Sequence, residues 1–254
     1  TTAAWTGFVA GTGRLAGPDP REMAKSDLVV IWGTNPVHTQ VNVMTHAVRA
    51  RRERGAKIAV IDIYRNATMQ QADIGICLRP GTDGALALGV IRSLVEQGLV
   101  DQDYVDKYTV GFPELAERAA DFSPEYVETV TGVKAADVTR FAREFATAQP
   151  SAIRIGVAIE RSAGGAQASR AIYAIPAIVG SWRHVGGGML QLPLWDFPID
   201  WVKAARPDWI KPGTRAINKE YLDVGKMFGA RTHNVWFGIA LPSALPHIIA
   251  GVEL

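Results

Sequence analysis

The sequence predicts a doubly wound α/β domain: a mostly parallel sheet with helices on both faces. Three observations carry that reading. Continuous apolar runs at 27–33 and 56–62 have the character of strands buried on both faces. A segment with helical periodicity follows each strand, as a crossover between parallel strands requires. Each strand run ends in a short loop of Gly, Asn, Asp or Arg, where open parallel sheets bind their ligands.

The elements follow in chain order. Asp19 caps a short helix that opens on Pro20. Asp27–Gly33 is the first strand run. Val41, Val43, Met44, Ala47 and Val48 form a helical stripe within 40–54, and Gly55 stops it. Residues 56–62 are the second strand, 66–72 a short polar helix, and 73–79 a third strand that ends near Arg79. Pro80–Asp83 then opens an apolar helix closed by Gly98. Residues 101–148 read as helices punctuated by Asp101, Ser123 and Gly132. A further strand covers 151–159. A helix over 165–181 carries a kink at Pro176. Beyond Gly188 the periodicity lapses, and 216–254 read as helical. The expected organisation is an α/β domain over 1–190 and a loop and truncated helical extension over 191–254. The opening residues are small and Gly-rich, with Trp5 and Phe8 placed to pack on something. Both ends read as the interior of a longer polypeptide.

Composition excludes several classes. Of 254 residues, 27 are Lys or Arg and 25 Asp or Glu, a net charge of +2, which argues against a dedicated nucleic-acid binder. Cys77 is the single cysteine, so no disulfide framework or CxxC pair exists in this chain. No apolar run reaches the roughly 18–20 residues that span a membrane, and no signal peptide is visible. The basic run 49–54 reads as a solvated helix end suited to the negative pole of its helix. His38, His46, His184, His233 and His247 lack metal-ligand spacing, and Cys77 reads as a buried small hydrophobe.

Three strand-end loops carry the candidate chemistry. In Trp32-Gly33-Thr34-Asn35-Pro36, Gly33 lets a ligand approach the backbone, and Thr34 and Asn35 offer hydrogen bonds. In Asp62-Ile63-Tyr64-Arg65, the carboxylate stands where dinucleotide folds hold a ribose diol, and Arg65 suits phosphate. In Arg79-Pro80-Gly81-Thr82-Asp83, Asp83 can accept from two adjacent N–H donors on a guanine edge. Each has a plainer alternative: a tight turn at Gly33–Pro36, a loop cap at Asp62, a helix N-cap at Asp83. Gly11, Gly13 and Gly17 imitate a dinucleotide fingerprint, but their spacing is wrong and no strand precedes them. They read instead as letting the chain pass close beside a ligand.

Taken together, SDLVVIWGTNP (26–36), VID-x-x-R (60–65) and AD-x(5)-RPGTD-x-AL (72–86) resemble the catalytic subunits of molybdopterin oxidoreductases, the dimethyl sulfoxide reductase superfamily. The resemblance runs over about residues 1–190 and is strongest over 27–90. It implies the domain that grips one of two molybdopterin guanine dinucleotides, with Mo or W between them. Gly33, Thr34 and Asn35 then lie along the phosphates or pterin side. Asp62 meets the ribose, and Arg65 the neighbouring phosphate or base. Gly81, Thr82 and Asp83 hold guanine, with Trp32, Tyr64 and Arg79 beside them. Arg161, in the segment Gly156–Gly165, returns to the pterin or substrate.

The resemblance places the family's metal ligand just upstream of Thr1, with Thr1 or Thr2 as unexpected surrogates; no metal ligand is assigned within this chain. It also implies a 4Fe–4S cluster in an N-terminal part, a C-terminal part completing the second cofactor site, and an iron–sulfur electron-transfer subunit as partner. The arginine that formate dehydrogenases carry after the glycine stretch is absent from MLQLPLWDF (189–197), which puts formate oxidation in doubt and sets oxo-transfer or sulfur-compound reduction at least level with it. The expected parent is thus a two-electron oxidoreductase, cytoplasmic or periplasmic in a prokaryote, of which this piece alone is inactive. Two rivals stand beside it: a catalytically silent guanine-dinucleotide-binding or assembly module, and the nucleotide-binding domain of a thiamine-diphosphate-type enzyme.

Overall fold

The computed structural model describes residues 2–13, 17–191, 200 and 203. The expected helices of 216–254 and most of the extension lie outside the described residues. Nearly all of those described belong to the unit Thr1–Pro198, and Asp200 and Lys203 to the unit Ile199–Leu254.

Five parallel strands form one sheet in the order β3-β2-β1-β4-β5. They are β1 (Leu28–Trp32), β2 (Lys57–Asp62), β3 (Ile74–Cys77), β4 (Ser151–Ile155) and β5 (Gly188–Leu190). Both faces are covered, as predicted, and the two faces have separate cores. One face packs Val30, Trp32, Ile61, Ile153 and Ile155 against α3 (Asp83–Glu96), α7 (Ala135–Thr147) and α8 (Gly165–Ile178). The other packs Val29, Ile31, Ile58 and Val60 against α2 (Val41–Arg54) and the 3-10 turn Pro20–Lys25. β1 is buried along its whole length, which is why its sequence is a continuous apolar run rather than an alternation.

Several local predictions stand. Asp19 accepts from Arg21 N at the start of Pro20–Lys25, although that element is a 3-10 turn. Asp101 caps α4 (Gln102–Tyr108), and Ser123 caps α6 (Pro124–Thr131). Gly55 and Gly132 stop α2 and α6 in the left-handed conformation. α5 (Phe112–Ala120) completes the helical stretch. Arg49, Arg51 and Arg54 pair with Glu53, Asp73 and Asp27, so the basic run is a solvated, ion-paired helix end.

The structure corrects other predictions. The opening residues form a helix, α1 (Thr2–Thr12), whose Phe8 is buried edge-on against Tyr173 at 4.7 Å. Its glycines serve helix packing rather than a ligand: a Cβ on Gly7 would lie 2.4 Å from Ala166 O of α8, and one on Gly11 2.9 Å from the Tyr173 ring. Gly17 backs onto Met189 O in the same way. The strand expected over 151–159 ends at Ile155, because Gly156 turns the chain into a 3-10 turn Ile159–Arg161. The helix expected over 66–72 is only the 3-10 turn Met69–Gln71. α2 buries Ala50 where Val41 was expected; Val41 is exposed at its first turn. α8 runs unbroken to Ile178 with Pro176 in its last turn. Cys77 is exposed, its Sγ 3.4 Å from Met69 Sδ, not a buried hydrophobe.

Candidate functional site

The strand order reverses at β1: β2 and β3 lie on one side of it, β4 and β5 on the other. A crevice forms at such a switch point, beyond the C-terminal strand ends. The predicted loops all emerge along that edge, and each continues the ladder by one hydrogen bond. Gly33 N donates to Ile61 O (2.8 Å), Leu78 N to Asp62 O (3.1 Å) and Gly156 N to Trp32 O (2.7 Å).

Backbone approaches backbone closely at the switch point. A Cβ on Gly156 would stand 1.9 Å from Gly33 O, and one on Gly33 2.7 Å from Ile159 Cγ1. Gly33 also has φ +65°, the left-handed region where glycine is favoured. A Cβ on Gly81 (φ +78°) would stand 3.5 Å from Ser162 Cβ. The segment carrying Arg161 therefore borders the Arg79–Asp83 loop.

Asp83 is the first residue of α3, and Thr82 takes the N-cap position, so the plain capping alternative does not hold for Asp83. Its carboxylate is buried and accepts a 2.8 Å bond from Trp32 Nε1. Burial pushes its pKa above the ordinary carboxylate value. No other side chain among the described residues reaches it, so acceptor capacity remains. Trp32 is fully buried and packs edge-on against Phe141. The ring predicted to line the cofactor thus orients Asp83 from the core side.

Asp62 closes the β2 loop, accepting from Ile63 N and Asn66 Nδ2, each at 2.7 Å. Burial, with the charge of Asp83 adding to it, raises its pKa. The loop-cap alternative is thus real, and each oxygen retains a lone pair for a hydroxyl. Asn35 Oδ1 accepts from Thr68 Oγ1 (2.7 Å), and Asn35 O receives His38 N and Thr39 N, which fixes the β1 loop. Tyr64, Arg65 and Arg161 are exposed. Arg65 and Arg161 form no ion pair among the described residues.

Arg79 departs from the prediction. Its Nη1 donates to Thr129 O (2.6 Å) and Val130 O (3.0 Å) at the C-terminal end of α6. The guanidinium pins the β3 loop to that helix, where the exposed carbonyls attract a cation. The resemblance placed Gly156 and Glu160 in the segment that returns to the pterin, but gave neither a role of its own. Glu160 is buried and accepts from Ala4 N (2.8 Å), tying the β4 loop to α1. A glycine directly after an apolar run was the available signal for Gly156. Among the described residues, no group of His, Cys, Asp and Glu has metal-binding proximity, and no helix is long and apolar enough to cross a membrane.

Comparison with known proteins places this geometry in context. The molybdopterin oxidoreductase family matches residues 10–197. A probable oxidoreductase of Bacillus subtilis, YoaE, is 39% identical over 217 residues, covering 85% of this chain and 32% of its own length. The acetylene hydratase of Syntrophotalea acetylenica is 36% identical over 170 residues, covering 67% of this chain and 23% of its own. The solved structure of acetylene hydratase from Pelobacter acetylenicus superposes with a TM-score of 0.65 at 30% identity, over 73% of this chain and 25% of that one. The chain spans a third or less of the length of these relatives.

Proposed function

We propose, from the premise that this chain belongs to the molybdopterin oxidoreductase family, that it forms the cradle for one molybdopterin guanine dinucleotide in a larger two-electron oxidoreductase. Family membership replaces the thiamine-diphosphate-type reading. The observation that carries the proposal is Asp83: a buried carboxylate at a strand-end crevice, held on one oxygen by Trp32 and retaining acceptor capacity. Guanine presents two adjacent N–H donors, and a fixed carboxylate accepts both.

The other residues fit the rest of such a group. The tight packing of Gly156 on Gly33 and of Gly33 on Ile159 fixes the β1 and β4 loops against each other, and the β1 loop lies along the phosphates. Thr34 and Asn35 line that approach. Asp62 accepts from the ribose hydroxyls. Arg65 and Arg161, exposed at the rim, pair with phosphate oxygens. Gly81 and Thr82 shape the guanine loop, Tyr64 covers its open side, and Arg79 holds it in place from α6. When bound in its bis form, the cofactor supplies oxo, sulfur or hydride-equivalent transfer at Mo or W.

The names of relatives span different reactions: a probable dimethyl sulfoxide reductase chain of Escherichia coli at 31% identity and an acetylene hydratase at 36%. The cradle is therefore common ground among relatives named for different reactions. We extend the proposal to a parent that places its metal ligand and a 4Fe–4S cluster upstream of Thr1 and completes the second cofactor site beyond Leu254. It passes electrons through an iron–sulfur subunit. The silent-module alternative is separated by one experiment. Metal analysis, oxidised-pterin fluorescence and acid release of guanine nucleotide are measured on the full-length protein and on Asp83→Ala. Mo or W with about two guanine nucleotides per metal is expected, with loss of pterin and nucleotide in the variant. Guanine nucleotide without metal favours the silent module, and full occupancy in Asp83→Ala removes the guanine assignment.

A further inference from the structure

Arg154 has no part in the reading above. It stands in β4 in register with Ile31 of β1 and Leu190 of β5. Ile31 and Leu190 belong to the core on the α2 face, so Arg154 leaves the sheet on the face opposite Trp32 and Asp83. It is 8% exposed, and no carboxylate pairs with it among the described residues. Its hydrogen bonds all leave from Nη1 and end on main-chain carbonyls: Ile155 at 2.7 Å, Leu190 at 3.2 Å, and Gln191. Nε and Nη2, which carry three N–H donors, form none. Gln191, whose main-chain carbonyl accepts from this guanidinium, is 3% exposed. Neither its Nε2 nor its Oε1 has a hydrogen-bond partner among the described residues.

Clamping β5 accounts for one nitrogen of Arg154 and for nothing of the Gln191 amide. A buried cation with a free guanidinium edge selects planar or tetrahedral oxyanions bidentately. The buried Gln191 amide has a donor and an acceptor unspent. We propose that Arg154 and Gln191 form an oxyanion-binding subsite at the C-terminal ends of β4 and β5, across the switch point from Asp83. Arg154 Nε and Nη2 take two oxygens of a phosphate or carboxylate. Gln191 Nε2 donates to the same group, and its Oε1 accepts from a neighbouring N–H or O–H of the ligand. A phosphate would come from the dinucleotide, in which case the inference rests on the proposed function. A carboxylate would come from a substrate.

The test uses full-length protein produced in a host unable to make the cofactor, titrated separately with inorganic pyrophosphate, acetate and guanosine monophosphate. Arg154→Met is expected to weaken oxyanion binding about 10- to 100-fold, and Gln191→Leu about 3- to 10-fold. Arg154→Lys, which keeps the charge without the fork, is expected to weaken it about 10-fold. Pyrophosphate bound well above acetate assigns the phosphate source, and acetate bound as well or better assigns the carboxylate source. The melting temperature separates a ligand subsite from a strand clamp. Arg154→Met is expected to hold or raise it, because an unpaired buried charge is replaced by an apolar chain of similar length. A lowered melting temperature with unchanged oxyanion affinity overturns the subsite, as does unchanged affinity in both Arg154→Lys and Gln191→Leu. Asp83→Asn keeps the two readings apart. Loss of guanosine monophosphate in Asp83→Asn, with pyrophosphate retained in the Arg154 variants, overturns the subsite alone. The converse pattern overturns the guanine assignment alone.

Discussion

On the β2–β3 side of the switch point the strand ends bear acids, and on the β4–β5 side they bear a base. Asp62 and Asp83 are buried, and burial raises both of their pKa values. Arg154 is buried too, and desolvation pulls its pKa down to about 10. The backbone is the same on both sides: parallel strands whose ladder runs on into a loop. What differs is the sign of the last inward side chains and what steadies them, an indole N–H for Asp83 and main-chain carbonyls for Arg154. The parallel sheet supplies position to both halves, and the residues at and just beyond its strand ends give the two halves opposite charge. Groups shifted toward their neutral forms by burial are not stability devices.

The switch point itself is where the comparison is easiest to break. Gly156→Ala drives a methyl into Gly33 O and is expected to cost about 3 kcal/mol in urea unfolding. Gly164→Ala, where nothing lies within 4 Å of the added Cβ, is expected to stay within about 0.5 kcal/mol. Equal costs for the two would mean that the close approach is not constraining.

The acidic half is tested next. Asp83→Ala leaves the buried Trp32 Nε1 unpaired and is expected to cost about 1–3 kcal/mol. Asp83→Asn preserves an oxygen for that indole, so it is expected to cost less in stability while still losing guanine affinity. Equal melting temperatures for the two variants would show that the Trp32 bond contributes nothing.

The pH dependence sharpens the contrast between the halves. A carboxyl with a raised folded pKa binds more protons folded than unfolded between its two pKa values. Its contribution is therefore full below the unfolded value, near 3.8, and is lost as pH rises through the raised folded value. The stability difference between wild type and Asp83→Asn is expected to grow against the wild type over that interval, then level off. A difference that stays flat with pH would refute the raised pKa.

The smallest effects separate two arginines that the sequence treats alike. Arg79→Ala is expected to lose about 1 kcal/mol, from its bonds to the α6 carbonyls, with a folded guanine loop otherwise intact. Arg65→Ala, exposed and without an ion pair among the described residues, is expected to change stability by less than about 0.5 kcal/mol. It should nonetheless weaken nucleotide binding and its salt dependence. A stability loss in Arg65→Ala equal to that in Arg79→Ala would erase the distinction.

Local signals account for what was legible beforehand. β1, β2 and the first half of β4 were visible because each is buried on both faces and so reads as an unbroken apolar run. The caps at Asp101 and Ser123 were visible because their oxygens reach N–H groups three residues on. α1 was not, because Gly7 and Gly11 lower its helix propensity; they are there so that α8 can come close. β5 was not, because it is a three-residue strand opening on a glycine run, and its parallel pairing with β4 is non-local.

By itself, then, the sequence determined the fold class, the alternation of buried strands with crossover helices, and the strand ends whose loops carry the candidate residues. Those properties follow from periodicity, caps and loop composition within a few residues. Only the tertiary structure decided the role of each side chain there: Trp32 orienting Asp83 across 51 residues of sequence, Arg79 holding α6, Gly156 lying against Gly33, and Arg154 beside Gln191. Hydrogen-bond partners, burial and pKa shifts depend on groups that the sheet brings together from distant parts of the chain, and no local pattern encodes which of them will meet.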